Sequence, residues 1–276
     1  MPYEKEGIKY PRCTQIIGDC TDKSGALIQW GANCVVEWIR DNCDKFYNEY
    51  EEGTQDKTYI IDDYALNQAR FAYKTVSDKA LDVGSEVHRL VEHFLQWKLD
   101  GKGLWSRKIP KKEKVEVTNA FNAFYKWQEE HNLKPIELEK TVYGSRWAGT
   151  LDFYGYFDDK LYVIDWKTSK PKNKKTGKGI YPEMRYQVAA YRSARTYLPT
   201  EKPKDFDEHA AKEAKRLSNP IEGCGVLRLD KETDMPDWND TSKSYERDLR
   251  VFNRMVDLYF ERHPRVAKRF EGIIPF

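Results

Sequence analysis

The chain has 276 residues, 39% of them apolar and 33% charged, with a net charge of +2 and a mean hydropathy of −0.84. Eighteen Tyr, 12 Phe and 8 Trp exclude the disordered class, which is poor in aromatics. No apolar run approaches the roughly 20 residues that span a bilayer, and the length suits one large domain or two small ones.

Residues 1–20 carry no clear period and read as irregular. From Ser24, an N-cap residue type, a helix is predicted over 26–40, with Leu27, Trp30, Cys34 and Trp38 at helical spacing. Residues 41–58 are polar and read as a connection or frayed helix; 61–74 read as a second helix. The strongest helical period of this half covers 78–99, where Leu81, Val87, Leu90, Val91, Phe94 and Leu95 form a wide apolar face. Within it Gly84-Ser85 precedes His88, which lies one turn ahead of Glu92. A basic stretch, 107–114, has five Lys or Arg in eight positions and leads into a helix over 114–131 carrying Val117, Phe121, Phe124 and Trp127.

At Pro135 the period changes. Residues 136–143, 150–157, 160–168 and 225–229 read as strands, and a helix over 181–197 holds Pro182 in its tolerant first turn. The charged, proline-interrupted stretch 200–220 reads as a surface excursion with one short helix. Residues 242–262 form an amphipathic C-terminal helix through Leu249, Phe252, Met255, Val256 and Tyr259. The order implies an α/β fold in a single domain over 1–276. A mainly helical N-terminal portion (1–132) leads into a core with a short central mixed sheet flanked by helices (133–230), closed by a C-terminal helix (231–276).

The strands over 150–157 and 160–168 are joined by Asp158-Asp159, a two-residue turn. If Phe157 faces Lys160, counting back sets Asp152 opposite Asp165, with Cβ atoms roughly 5 Å apart and like charges in conflict. Alternation puts Lys167 on the face of Asp165. Leu161, Tyr162, Val163 and Ile164 make the second strand apolar on both faces, as in a buried central strand, where unpartnered charge is costly. Opposed carboxylates suit Mg²⁺, which can polarise a phosphoryl oxygen and acidify a bound water, while a lysine steadies a phosphate. These are the needs of phosphodiester hydrolysis; the plainer alternative is a surface hairpin with an Asp–Lys salt bridge. Five lysines follow at once, Lys170, Lys172, Lys174, Lys175 and Lys178. An isolated basic run is a solvated surface, but its place beside the carboxylates points to a loop that contacts phosphates.

Four segments, in order, are Gly84-Ser85-Glu86-Val87-His88, Gly149-Thr150-Leu151-Asp152, Asp165-Trp166-Lys167-Thr168 and Gln187-Val188-Ala189-Ala190-Tyr191. Together they resemble the PD-(D/E)XK nuclease superfamily, and within it the RecB-like exonuclease branch, over about residues 84–191. Asp165 stands where Glu is more common. The resemblance implies a restriction-endonuclease-like core and a metal-dependent DNA nuclease, an exonuclease of replication, recombination, repair or phage DNA processing. In it His88, Asp152, Asp165 and the backbone carbonyl of Trp166 bind one or two Mg²⁺ or Mn²⁺ ions, and Lys167 is the catalytic lysine. Gln187 and Tyr191 support the lysine or contact the nucleic-acid backbone, or else serve helix packing. Glu139 falls where the family often has a glutamate and is a candidate supporting residue. His88, taken alone, reads as a core histidine; the order of the four motifs reverses that. Trp105 and Trp147 could stack bases, but core packing is the first reading. Because imidazole suits Mn²⁺ better than Mg²⁺, Mn²⁺ is expected to support activity at least as well.

Single-stranded DNA ends are the expected substrate, with a structure-specific endonuclease or a non-catalytic nucleic-acid-binding module as alternatives. Some members of the branch hold a four-cysteine iron–sulfur cluster. This chain has Cys13, Cys20, Cys34, Cys43 and Cys224, only one of them in the C-terminal half, so no cluster is expected. An odd count without a CxxC pair, and an N-terminus lacking an apolar or Arg-rich leader, imply reduced cytosolic thiols, and the resemblance implies the cytoplasm of a bacterial or phage-infected cell. No Walker A sequence occurs, so no ATP site is expected, and any helicase or recombination partner is a separate chain.

Overall fold

The computed structural model describes residues 3–42, 47–50, 57–60, 62–101, 114–170, 173, 175–176, 178–196 and 220–271. The elements in order are β1 (Tyr3–Lys5), β2 (Ile8–Tyr10), α1 (Cys13–Cys20), α2 (Ser24–Asp41), β3 (Tyr47–Tyr50), β4 (Lys57–Ile60), α3 (Asp63–Arg70), α4 (Ala72–Asp100) and α5 (Lys114–Glu130). There follow β5 (Leu133–Tyr143), β6 (Ala148–Phe157), β7 (Lys160–Thr168), α6 (Pro182–Thr196), β8 (Gly223–Leu229), β9 (Pro236–Asp240), α7 (Tyr245–Arg262) and α8 (Pro264–Ala267). Two compact units result: residues 1–21 with 84–276, and residues 22–83. Among the described residues no helix is long and apolar enough to cross a membrane.

The larger unit is built on a five-stranded mixed sheet of order β5-β6-β7-β8-β9, in which only β7 and β8 run parallel. Its α/β class and flanking helices agree with the sequence reading. Parallel neighbours need a crossover, and α6 lies between β7 and β8 in the chain. The turn between β6 and β7 is Asp158-Asp159, with φ of 47° and 64°. Two positive φ values are what a type I′ hairpin turn requires. Phe157 does pair with Lys160, and the ladder continues to Phe153–Ile164.

Alternation along β7 separates two cores. Tyr162, Ile164 and Trp166 face an aromatic cluster under α4 and α5. There the Trp166 ring lies 5.4 Å from Phe124 and 5.9 Å from Phe153, and Trp127 stacks on Phe157 at 5.3 Å. Leu161 and Val163 face the opposite core, made with Cys13, Ile16 and Ile17 of α1, Val188 and Tyr191 of α6, and Phe252 and Val256 of α7. Trp147 belongs to this second core, edge-on to Phe252 at 5.2 Å.

Several expectations change. Residues 1–20 are not irregular: β1 and β2 form a small hairpin and α1 follows, its helix held by burial of Cys13, Ile16 and Ile17 despite poor helix formers. Residues 41–58 include β3 and the first half of β4, paired from Tyr47–Ile60 to Tyr50–Lys57. The helix expected over 61–74 is two, broken at Phe71. Ser24 is inside α2 rather than capping it; the Asp22 carboxylate accepts from the Ser24 N–H at 2.9 Å. Leu81, expected on the packed face of α4, is 66% exposed. The unexpected edge strand β9 starts at Pro236, a position where a missing N–H is harmless. Lys172, Lys174, Trp105 and the excursion over 200–219 lie outside the described residues.

Candidate metal centre

The site forms where β6 and β7 part. The register would place Asp152 opposite Asp165, but pairing ends one step earlier. Beyond that point β6 stays with β5, and β7 continues along β8 through Thr168–Leu229. The gap is bridged by a side chain: the Trp166 N–H donates to Asp152 Oδ2 at 2.7 Å. The two carboxylates therefore flank a cleft instead of pressing together across a ladder.

His88 reaches this cleft from α4. Gly84, one turn earlier, permits the approach, because a Cβ there would sit 3.2 Å from Thr168 Oγ1 at the end of β7. The imidazole Nε2 lies 3.1 Å from the Trp166 carbonyl oxygen. Its Nδ1 lies 3.5 Å from Asp152 Oδ1 and 3.6 Å from Glu139 Oε1. Ligand atoms of His88, Glu139 and Asp152 all fall within 4.8 Å of one another, a group that could hold a metal ion. Glu139 is thus a member of the cluster rather than a distant support. It occupies β5 with φ 47°, a left-handed backbone in the middle of a strand that no sequence pattern announces.

Asp165 sits on the other side, 1% exposed. Its Oδ2 meets the Lys167 ammonium at 2.5 Å and its Oδ1 accepts from Gln187 Nε2 at 3.1 Å. The same Gln187 amide donates to the Tyr191 hydroxyl at 3.1 Å. Gly149 makes room for that tyrosine: a Cβ there would lie 2.5 Å from the ring. Gln187 and Tyr191, which the sequence left between packing and chemistry, are linked to the carboxylate–lysine pair and buried with Asp165.

The charges are strongly coupled. Burial lowers the His88 pKa, but the Asp152 carboxylate and hydrogen bonds to Asp152 and Glu139 outweigh it and bring it to about 10. Burial raises Asp165 to about 6, against the pull of Lys167 and with a push from Asp152. For Lys167 burial acts downward, yet Asp165 and Asp152 hold its pKa above the usual lysine value. Asp152 stays below its ordinary value because His88 and Lys167 overcome its burial. Burial first, then Asp165, pushes the Cys13 thiol well up, so α1 places a neutral group near the pair. The sequence reading missed Cys13 because it assigned no helix there.

The predicted lysines separate. Lys170 pairs with Glu232 at 2.9 Å, Lys175 lies in an exposed turn, and Lys178 accepts from the Asn173 N–H through its backbone. Neither a protein-family model nor a curated protein sequence matches the chain. The case for a function rests on the site itself.

Proposed function

We propose that this chain is a metal-dependent deoxyribonuclease that hydrolyses phosphodiester bonds from DNA ends. The observation that supports this best is the cleft between β6 and β7. It holds a His88/Glu139/Asp152 group and, beside it, the Asp165–Lys167 pair. On this reading the sheet is a restriction-endonuclease-like core. The preference for ends follows the RecB-like resemblance, and that for single strands rests on the basic loops and aromatics of the sequence, which suit a channel along one backbone. Work in the cytoplasm of a bacterial or phage-infected cell, beside a separate helicase or recombination protein, follows from the resemblance too.

The residues fit Mg²⁺ or Mn²⁺. Asp152 and Glu139 supply oxygen donors, the Trp166 carbonyl a third and His88 a nitrogen. In this structure the carboxylates hold the imidazole protonated, and it has to give up that proton before its nitrogen can ligate a metal. Asp165, which the sequence reading placed among the ligands, is outside that group of three, its oxygens turned to Lys167 and Gln187. A bound ion would polarise a phosphodiester oxygen and acidify a water. An imidazole ligand favours Mn²⁺ over Mg²⁺.

Lys167 does a separate task. Its raised pKa keeps it an ammonium at neutral pH, which suits it to a phosphate oxygen or developing negative charge rather than to proton abstraction. Its side chain is 24% exposed, within reach of a substrate. Gln187 fixes Asp165, and Tyr191 fixes Gln187, so the pair is preset.

End-labelled single- and double-stranded DNA with Mg²⁺ or Mn²⁺ tests the assignment. Wild type should shorten the DNA from its ends with either ion. Asp165→Ala and Lys167→Ala should each lose on the order of 100-fold or more, the scale of removing one group that stabilises transition-state charge. Equal degradation by all three proteins sinks the proposal. Binding without cleavage by wild type would favour a non-catalytic module, and internal cuts an endonuclease. Strict dependence on Mg²⁺ would remove His88 from the ligands.

A further inference from the structure

The chain leaves the candidate centre through its lysine-rich loop. Lys167 is the next-to-last residue of β7, and residues 169–181 lead from there to α6, which carries Gln187 and Tyr191. Two residues of this loop are tied to the sheet. The Arg228 guanidinium donates to the Ser169 carbonyl at 3.0 Å, and the Gly179 N–H donates to Asp237 Oδ2 at 2.7 Å. Arg228 and Asp237 are themselves joined at 3.2 Å. One ion pair therefore holds the first residue of the loop and one of its last.

Strand pairing sets that ion pair beside the lysine. Arg228 of β8 is the ladder partner of Lys167, and Asp237 of β9 is the partner of Arg228. Partners in a ladder share a face, so Lys167, Arg228 and Asp237 form one row across three strands. Between the two anchors the described part of the loop folds back on itself. The Asn173 N–H donates to the Lys178 carbonyl at 3.0 Å, and the Asn173 side chain accepts from the Lys175 and Thr176 N–H groups at 3.0 and 3.2 Å. Lys175 and Lys178 are exposed there.

Stability alone does not call for this pair. Arg228 is 1% exposed and Asp237 8%, and a buried ion pair loses in desolvation much of what its charges gain. Apolar side chains of similar size are often as stable. They cannot fix a carbonyl and an N–H ten residues apart in the chain, whereas a guanidinium fork and a carboxylate can. We propose that Arg228 and Asp237 are positioning residues, which hold the loop so that Lys175 and Lys178 meet backbone phosphates of the DNA strand seated at Lys167. A loop held in one shape loses less freedom when a strand binds, so the gain falls on affinity rather than on the chemical step. The inference rests on the deoxyribonuclease reading.

The test is Arg228→Met/Asp237→Leu, which removes both anchors together and leaves neither charge of the pair unmatched. Asp230, the other partner of Arg228, keeps its Glu232 and Thr233 N–H donors. On end-labelled single-stranded DNA with Mn²⁺, KM should rise about tenfold with kcat within about twofold of wild type, the mark of lost uniform binding. Lys175→Ala/Lys178→Ala should act alike, and all four substitutions together should lose little more than either pair, because both pairs remove the same contacts. In EDTA, fluorescence anisotropy with a labelled oligonucleotide should show log K falling less steeply with log salt by about 1.4, two phosphate contacts at about 0.7 each. If urea melts show the Met/Leu variant unfolded, Asp237→Ala decides the question. It frees Gly179 while Arg228 keeps Asp230, and it should raise KM about threefold or more. An unchanged KM and salt slope, a fall in kcat alone, or additive losses in the fourfold variant overturns the inference, while cleavage by wild type keeps the nuclease reading. If wild type binds DNA without cutting it, that reading fails and the salt slope alone decides the inference. If wild type neither binds nor cuts, both fall.

Discussion

Glu139 has φ 47° within β5, although β-strands are built from residues with negative φ. A left-handed backbone at a residue with a Cβ costs about 1–2 kcal/mol. The distortion coincides with the point where the carboxylate lies 3.6 Å from His88 Nδ1, so strain and site coincide. Glycine adopts this conformation freely. Glu139→Gly should therefore leave the stability of the metal-free protein nearly unchanged, because the relieved strain offsets the roughly 0.5–1 kcal/mol entropic cost of a glycine and the 0–1 kcal/mol of a partly exposed ion pair. It should also weaken Mn²⁺ binding. Denaturant melts in EDTA and calorimetric Mn²⁺ titration measure the two effects; a variant less stable by about 2 kcal/mol or more would show that Glu139 is not strained for its site.

At the scale of elements, the parting of β6 and β7 creates the cleft and α6 furnishes its back wall. Tyr191 lies against Gly149 of β6 more closely than any Cβ would allow. Gly149→Ala should cost about 1–3 kcal/mol by overpacking. In Gly149→Ala/Tyr191→Ala the added methyl has space, so the double variant should lose clearly less than the sum of the single losses. Cleavage should stay low in all three, since Gln187 loses its anchor. Additive stability losses would contradict the packing account. Much of this arrangement is legible in the sequence, because the Asp158-Asp159 turn fixes a register and the register fixes which side chains share a face. The end of the ladder is not legible: a strand pattern looks the same whether its partner stays or leaves. Nor is the φ of Glu139, which depends on contacts 51 residues away at His88. The missed hairpins and α1 are three to eight residues long, too short for a period to declare itself.

At the scale of the larger unit, one buried ionic network ties β8 to β9 and the chain around them. Arg228, 1% exposed, donates to Asp237 at 3.2 Å, to Asp230 at 3.1 Å and to the Ser169 carbonyl at 3.0 Å. The Gly179 N–H donates to Asp237 at 2.7 Å. Burial raises the Asp230 pKa, but the Glu232 and Thr233 N–H groups and Arg228 together hold it below the ordinary carboxylate value. A depressed folded-state pKa contributes stability above the ordinary value of about 3.9 and loses it as pH falls through the lower folded value. Asp230→Asn should cost about 1–2 kcal/mol near pH 7. The gap to wild type should close as the pH falls toward 2, as read by urea melts along a pH series. A gap that stays constant would remove Asp230 from the acid limb.

Trp166 gives its N–H to Asp152 and sets its carbonyl against His88, while its indole lies among Phe124, Phe153 and Trp127. The middle position of Asp-Trp-Lys therefore answers to two independent demands. Chemistry reads only the main chain there and is blind to the letter; packing alone writes the letter. A substitution at Trp166 that the covering helices can still pack keeps both main-chain contacts, whereas one at Asp165 or Lys167 removes a charge from the site.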